Sequence, residues 1–86
     1  MARIIKATGA IVEVSPKNGR DFQLDELNKI VGGYIEIVPT TTGEVMVVNE
    51  DGHRLGLPLN KLASSFYRSP YPIVGDVLIC GREQID

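Results

Sequence analysis

Few side chains in this sequence have the chemistry of a catalytic group: a single histidine, His53, a single cysteine, Cys80, and the adjacent serines Ser64 and Ser65. Nucleophilic catalysis would need His53 to take a proton from one of those serines or from Cys80, with a third group orienting the ring. No flanking signature of a nucleophile surrounds any of them, and His53 follows a turn, where a histidine is ordinarily a solvated rim residue. One His and one Cys fall short of the four Cys or His ligands of a structural zinc site. Gly32-Gly33 follows a helical pattern instead of a strand, which removes it as a phosphate loop of Walker or dinucleotide type. The expectation is a protein with no catalytic residues, no metal and no cofactor.

Binding chemistry has better candidates. Glu36 is a carboxylate in a strand of apolar neighbours, where a charge is costly unless something satisfies it. A ligand donor or a partner's cation would do so, as would plain hydration or pairing with Arg54 or Lys61 at a sheet edge. Tyr34 is either half-buried packing with a wet hydroxyl or a stacking platform. Asn60 and Lys61 open a helix, so free N–H groups beside a lysine form a candidate anion site. The competing reading of Asn60 is an N-cap and nothing more.

The elements that must position these residues follow from periodicity. Residues 3–6 and 10–14 are β-branched runs around Thr8-Gly9, read as a strand pair or as one strand with a bulge at Gly9. From Gln23 the period becomes helical: Leu24, Leu27, Ile30 and Val31 form a stripe, Asp25 and Glu26 sit early and Lys29 late, and Gly32-Gly33 stops the helix in a left-handed cap. Residues 34–38 and 44–49 read as strands joined by a loop over residues 39–43, which sets Ile37 opposite Val45 and Ile35 opposite Val47. Ile35, Ile37, Val45 and Val47 then share one apolar face.

Asp51-Gly52 reads as a two-residue hairpin turn. That register puts Leu55 beside Val48 and Leu57 beside Met46, so that Tyr34, Met46, Val48, Leu55 and Leu57 form a second apolar face with Glu36 among them. Such a face needs a cover. Asn60 then opens a second short helix, residues 68–72 form an irregular link, Val77-Leu78-Ile79-Cys80 is a buried strand, and the polar tail from Arg82 frays.

At 86 residues, with 43% hydrophobic and 23% charged side chains, the chain is expected to fold as one domain over residues 1–86. Its net charge of −2, with nine basic residues scattered singly, disfavours a nucleic-acid binder held by phosphate contacts. A lone cysteine, no signal-peptide layout and no run of about 18 apolar residues fit a protein of the cytoplasm that does not enter a membrane.

The ordered set Val31-Gly32-Gly33-Tyr34-Ile35-Glu36, Val48-Asn49-Glu50-Asp51-Gly52, Leu57-Pro58-Leu59-Asn60 with Ala63, and Ile73-Val74-Gly75-Asp76-Val77-Leu78-Ile79 resembles a small family, domain of unknown function 3846, over about residues 23–81. The resemblance implies a bacterial or phage cytoplasm and an accessory gene of a phage, plasmid or conjugative element. It carries over no activity and no catalytic residues.

The expected fold is α+β: a mostly antiparallel sheet of about five strands with two short helices on one face, the alternative being a small, partly closed β-barrel. The expected function is non-enzymatic, acting through protein–protein contacts, with a homodimer the favoured cover for the second face, closure by the N-terminal strands its rival, and a host or mobile-element protein as a further partner. The alternatives are a protein that sequesters a small anionic ligand such as a nucleotide signal, and a nucleic-acid-binding module. The ligand or interface residues are Tyr34, Glu36, Met46, Val48, Leu55, Leu57, Asn60 and Lys61.

Overall fold

A computed structural model describes residues 2–67 and 71–85. The elements are β1 (Ala2–Ile5), β2 (Ile11–Val14), α1 (Leu24–Val31), β3 (Ile35–Pro39), β4 (Val45–Asn49), α2 (Lys61–Ser64), β5 (Val77–Cys80) and a 3-10 turn (Arg82–Gln84). The strands form one antiparallel sheet in the order β2-β1-β5-β4-β3. It stays open, with β2 and β3 as its edges, so the barrel alternative does not hold.

The first two β-branched runs pair as a hairpin, closed by the Lys6 N–H bonding to the Ala10 carbonyl at 2.8 Å and by Gly9 at a φ of +98°. In α1, Leu27 and Val31 are buried and Ile30 packs beside them, whereas Leu24 stays exposed. Glu26 caps the helix start by accepting the Gln23 N–H at 2.9 Å. Gly32 supplies the left-handed stop at a φ of +80°, its N–H bonding to the Asn28 carbonyl at 2.8 Å. Gly33 follows without a positive φ.

The β3–β4 hairpin keeps the expected faces but not the expected register. Ile37 pairs with Val47 and Ile35 with Asn49, a slide of two residues that preserves which side chains share a face. The cause is Pro39, which belongs to β3 and pairs with Val45; the hairpin closes one step later, where the Thr40 N–H and Oγ1 both donate to the Glu44 carbonyl, at 3.1 and 3.0 Å. That Thr40–Glu44 pair and the Glu50 N–H bonding to the Tyr34 carbonyl at 2.9 Å fix the phase of the ladder. Even-numbered residues of β3 bond to β4, and odd-numbered ones turn their backbone outward. Proline, with no N–H to leave unpaired, thus stands at an outward position of an edge strand.

The expected third strand after Asp51-Gly52 does not form. Residues 50–56 wind through consecutive turns instead, with the Leu55 N–H on the Asp51 carbonyl at 2.8 Å, the Gly56 N–H on His53 at 3.1 Å and the Leu57 N–H on Gly52 at 3.0 Å. Gly52 lacks the positive φ a two-residue hairpin would demand, and Gly56 has one at +69°. The place beside β4 goes to β5, whose continuous apolar run can be buried on both sides.

The two helices lie on opposite faces of the sheet, not on one. Leu27 and Val31 of α1 pack with Val45, Val47, Leu78 and Cys80. Ala63 and Leu62 of α2 pack with Ile5, Met46, Val48, Val77 and Ile79, joined by Ile73 and Phe66. The second face is therefore covered within the chain, by residues from α2 and the segment before β5 instead of the N-terminal strands. The tail is tied as well: the Phe22 N–H bonds to the Gln84 carbonyl at 2.7 Å, and Ile85 bridges Phe22 against the α1 core, where a polar composition pointed to fraying. Of the irregular link expected over residues 68–72, residues 68–70 lie outside the described residues.

Candidate functional site

The side chains that could do nucleophilic chemistry are sent to separate places. Cys80 is buried in the α1 core, where burial above all, with the charges of Glu44 and Glu83 assisting, pushes its thiol up to about 11. The Ser64 Oγ donates to the Asn60 carbonyl at 2.8 Å and accepts the Ile73 N–H at 2.9 Å, and the Ser65 Oγ donates to the Leu62 carbonyl at 2.6 Å. His53 Nε2 bonds to the Pro72 carbonyl at 2.8 Å. A carbonyl only accepts, so Nε2 carries the proton and Nδ1 of the neutral ring is the acceptor.

Asn60 does cap α2, its Oδ1 accepting the Ala63 N–H at 3.0 Å, and it does more. Its Nδ2 donates to the carbonyls of Ile5 at 2.9 Å and Gly75 at 2.8 Å. Both amide hydrogens are used and the residue is buried, so nothing of Asn60 is offered to a ligand. Lys61 is exposed at the start of α2, a helix of four residues.

The five residues expected on one face are separated. Met46 and Val48 lie beneath α2. Tyr34 stands just outside β3, 74% exposed, and Leu55 is 53% exposed on the turn cluster. Leu57 packs over Gly75, where an added Cβ would stand 2.8 Å from the Leu57 Cδ1. Arg54, expected as a partner of Glu36, pairs with Asp51 at 3.2 Å.

Glu36 instead lines a groove of about 250 Å³ on the α2 side of the sheet. Val38 and Val48 join it on the floor, Glu50 and His53 of the turn cluster close one end, and Tyr67, Tyr71 and Pro72 stand along the walls. The hydrogen bond from His53 to Pro72 holds end and wall together. Glu50, Tyr67 and Tyr71 are not recognisable as site residues from sequence, and His53 is marked only by being the single histidine: three segments far apart in the chain converge on them, and no spacing joins them. Period-two alternation alone places Glu36 and Val48 on this face.

Among the described residues the groove is lined by two carboxylates, Glu36 and Glu50, and by no lysine or arginine. It is smaller than the roughly 300–1,000 Å³ of sites that enclose a drug-sized ligand. Among the described residues no group of three His, Cys, Asp or Glu side chains could hold a metal ion, and no helix is long and apolar enough to cross a membrane.

The family model described as a domain of unknown function (DUF3846) matches residues 3–86, which adds β1, β2 and the tied tail to the motifs that first carry the likeness. No curated protein and no solved structure matches the chain.

Proposed function

The chain belongs to the family of domain of unknown function 3846, and from that premise we propose a non-enzymatic accessory protein of a bacterial phage or mobile element, acting in the host cytoplasm through protein–protein contacts, with a two-fold homodimer as its assembled form. The mobile-element setting rests on the sequence resemblance. The contact reading rests on one observation, the outer edge of β2.

In the β1–β2 ladder the Lys6–Ala10 bond sets the phase, so Val12 and Val14 bond to β1 while Ile11 and Glu13 turn their N–H and C=O groups outward. The side chains around them are exposed on both faces of the strand, Ile11 at 55% and Val12 at 41%. Proteins ordinarily blunt such an edge. The opposite edge has Pro39 at an outward position; β2 contains no proline. A second β2 strand running antiparallel about a two-fold axis at Val12 would satisfy the outward backbone groups and cover Ile11 and Val12, by the strand addition that many recognition modules use.

Sedimentation velocity at micromolar concentration tests this. The wild-type chain is expected as a dimer, and Ile11→Lys or Val12→Lys as folded monomers. A monomeric wild type, or a dimer indifferent to both substitutions, would refute the β2 contact.

A further inference from the structure

Asn18 is the one asparagine of the sequence followed by glycine, and it stands exposed in the turn between β2 and α1. We propose that Asn18 is a deamidation site gated by that turn, silent while the turn holds and reactive when it opens. In the reaction the Gly19 amide nitrogen attacks the Asn18 carboxamide carbon. A C–N bond forms, the carboxamide C–N bond breaks, and ammonia leaves with the proton that Gly19 gives up. Water then opens the cyclic imide at either carbonyl, giving aspartate or, with the backbone rerouted through the side chain, isoaspartate. Nothing is oxidised or reduced. Glycine brings no Cβ to obstruct the approach, whereas Asn28, Asn49 and Asn60 precede lysine, glutamate and lysine.

Both reacting groups are engaged elsewhere in the folded turn. The Gly19 N–H donates to the Pro16 carbonyl at 3.0 Å. The Asn18 carboxamide is held forward: its Oδ1 accepts the Arg20 and Asp21 N–H groups at 2.8 and 2.9 Å, and its Nδ2 donates to Asp21 Oδ1 at 2.7 Å. Attack needs the Gly19 nitrogen and the carboxamide carbon aligned with each other, so the reaction proceeds from the fraction of chains in which these bonds are broken. Asp21 is the positioning residue. Its Oδ1 also accepts Gln23 Nε2 at 3.0 Å, and Glu26 of α1 takes the Lys17 N–H at 3.0 Å, which ties the turn to the helix start. The change is one-way. Aspartate at this place sets an oxygen against Asp21 where the amide donated, so the turn cannot close again on the same bonds.

Peptide mapping of the chain incubated at mildly alkaline pH measures the aspartyl and isoaspartyl products. The folded chain is expected to deamidate at Asn18 at least about tenfold more slowly than the chain in concentrated urea. Asp21→Ala should speed the folded chain about fivefold, with matching loss of hydrogen-exchange protection at the Gly19 amide, while Asp21→Asn keeps an acceptor for Nδ2 and should stay near wild type. Should Asp21→Ala unfold the chain, wild type in urea below its unfolding transition carries the test. Opening of one turn exposes little surface, so the rate should stay nearly flat until the transition begins. A folded chain that deamidates as fast as the unfolded one would mean that the N–H groups on Oδ1 activate the carboxamide, and would overturn the gate. A folded Asp21→Ala chain no faster than wild type, or a rate that climbs steeply with urea below the transition, would overturn it as well.

Discussion

Asn60 and Ile5 are separated by 55 residues in the chain, and the Asn60 Nδ2 donates to the Ile5 carbonyl oxygen at 2.9 Å. The same amide group bonds to the Gly75 carbonyl at 2.8 Å, and its oxygen caps α2 through the Ala63 N–H. One buried side chain thus ties β1, α2 and the turn that feeds β5, and it lies beneath the helix that covers the second face.

Asn60→Ala leaves two carbonyls and one N–H without their side-chain partner in a buried place. At about 1–3 kcal/mol for a buried group left unsatisfied, the expected loss is at least about 2 kcal/mol, read from urea unfolding. Asn60→Asp keeps the cap acceptor but sets a carboxylate against the Ile5 and Gly75 carbonyls, so at neutral pH it should cost more than the alanine. An aspartate variant as stable as wild type would show that the two donated bonds contribute little.

The paired glycines after α1 have different roles. Gly32 holds a φ of +80°, so Gly32→Ala should cost about 1 kcal/mol through backbone strain. Gly33 has ordinary φ, but a Cβ there would stand 3.0 Å from Asn49 Nδ2, the group that donates to the Val31 carbonyl at 3.0 Å. The penalty of Gly33→Ala should therefore shrink in an Asn49→Ala background, while that of Gly32→Ala should not. A double-mutant cycle by thermal unfolding checks both.

How far the fold was legible follows from which rule governed each segment. Local rules succeeded: the stripe of Leu27, Ile30 and Val31 and the Gly32 stop located α1, the Asn60 cap located α2, and alternation sorted Ile35, Ile37, Val45 and Val47 onto one face. Longer-range competition did not show. Asp51-Gly52 has hairpin chemistry, yet β5 takes the position beside β4, a choice between strands that local patterning cannot see. A third strand after Asp51-Gly52 would carry Leu55 and Leu57 onto a face that α2 and Ile73 cover instead. The groove was hidden for the same reason, since Glu36, Glu50 and Tyr67 become neighbours only through the way the chain returns over the sheet.

Cys80 sets a dependence on pH. Its thiol, at about 11, holds its proton in the folded chain above the ordinary value of 9.0. Between those two values the unfolded chain releases a proton that the folded chain retains, so the contribution is fully present below pH 9 and falls as pH rises, by at most about 1.4 kcal/mol per pH unit. Unfolding measured from pH 8 to 11 should decline less steeply in Cys80→Ala than in wild type. Alkylation by iodoacetamide at pH 8 should require unfolding, since the thiolate is scarce and buried. Rapid labelling of the folded chain would contradict the burial of Cys80.

Met46→Lys and Leu55→Lys separate a face buried within the chain from a face buried between chains. Met46 is fully buried beneath α2 together with Val48, Val77 and Ile79. A lysine there must either lose its charge or break the packing of α2, at a cost of about 3 kcal/mol or more, a large part of the stability of a domain this size. Leu55 stands 53% exposed on the turn cluster, and its replacement by lysine should change stability by no more than about 0.5 kcal/mol. Circular dichroism and sedimentation of the two variants give the expected pattern: Met46→Lys unfolded or strongly destabilised, and Leu55→Lys folded with the oligomeric state of wild type. Two folded monomers from a dimeric wild type would instead place both side chains in one interface between copies, and would mean that α2 does not close over Met46.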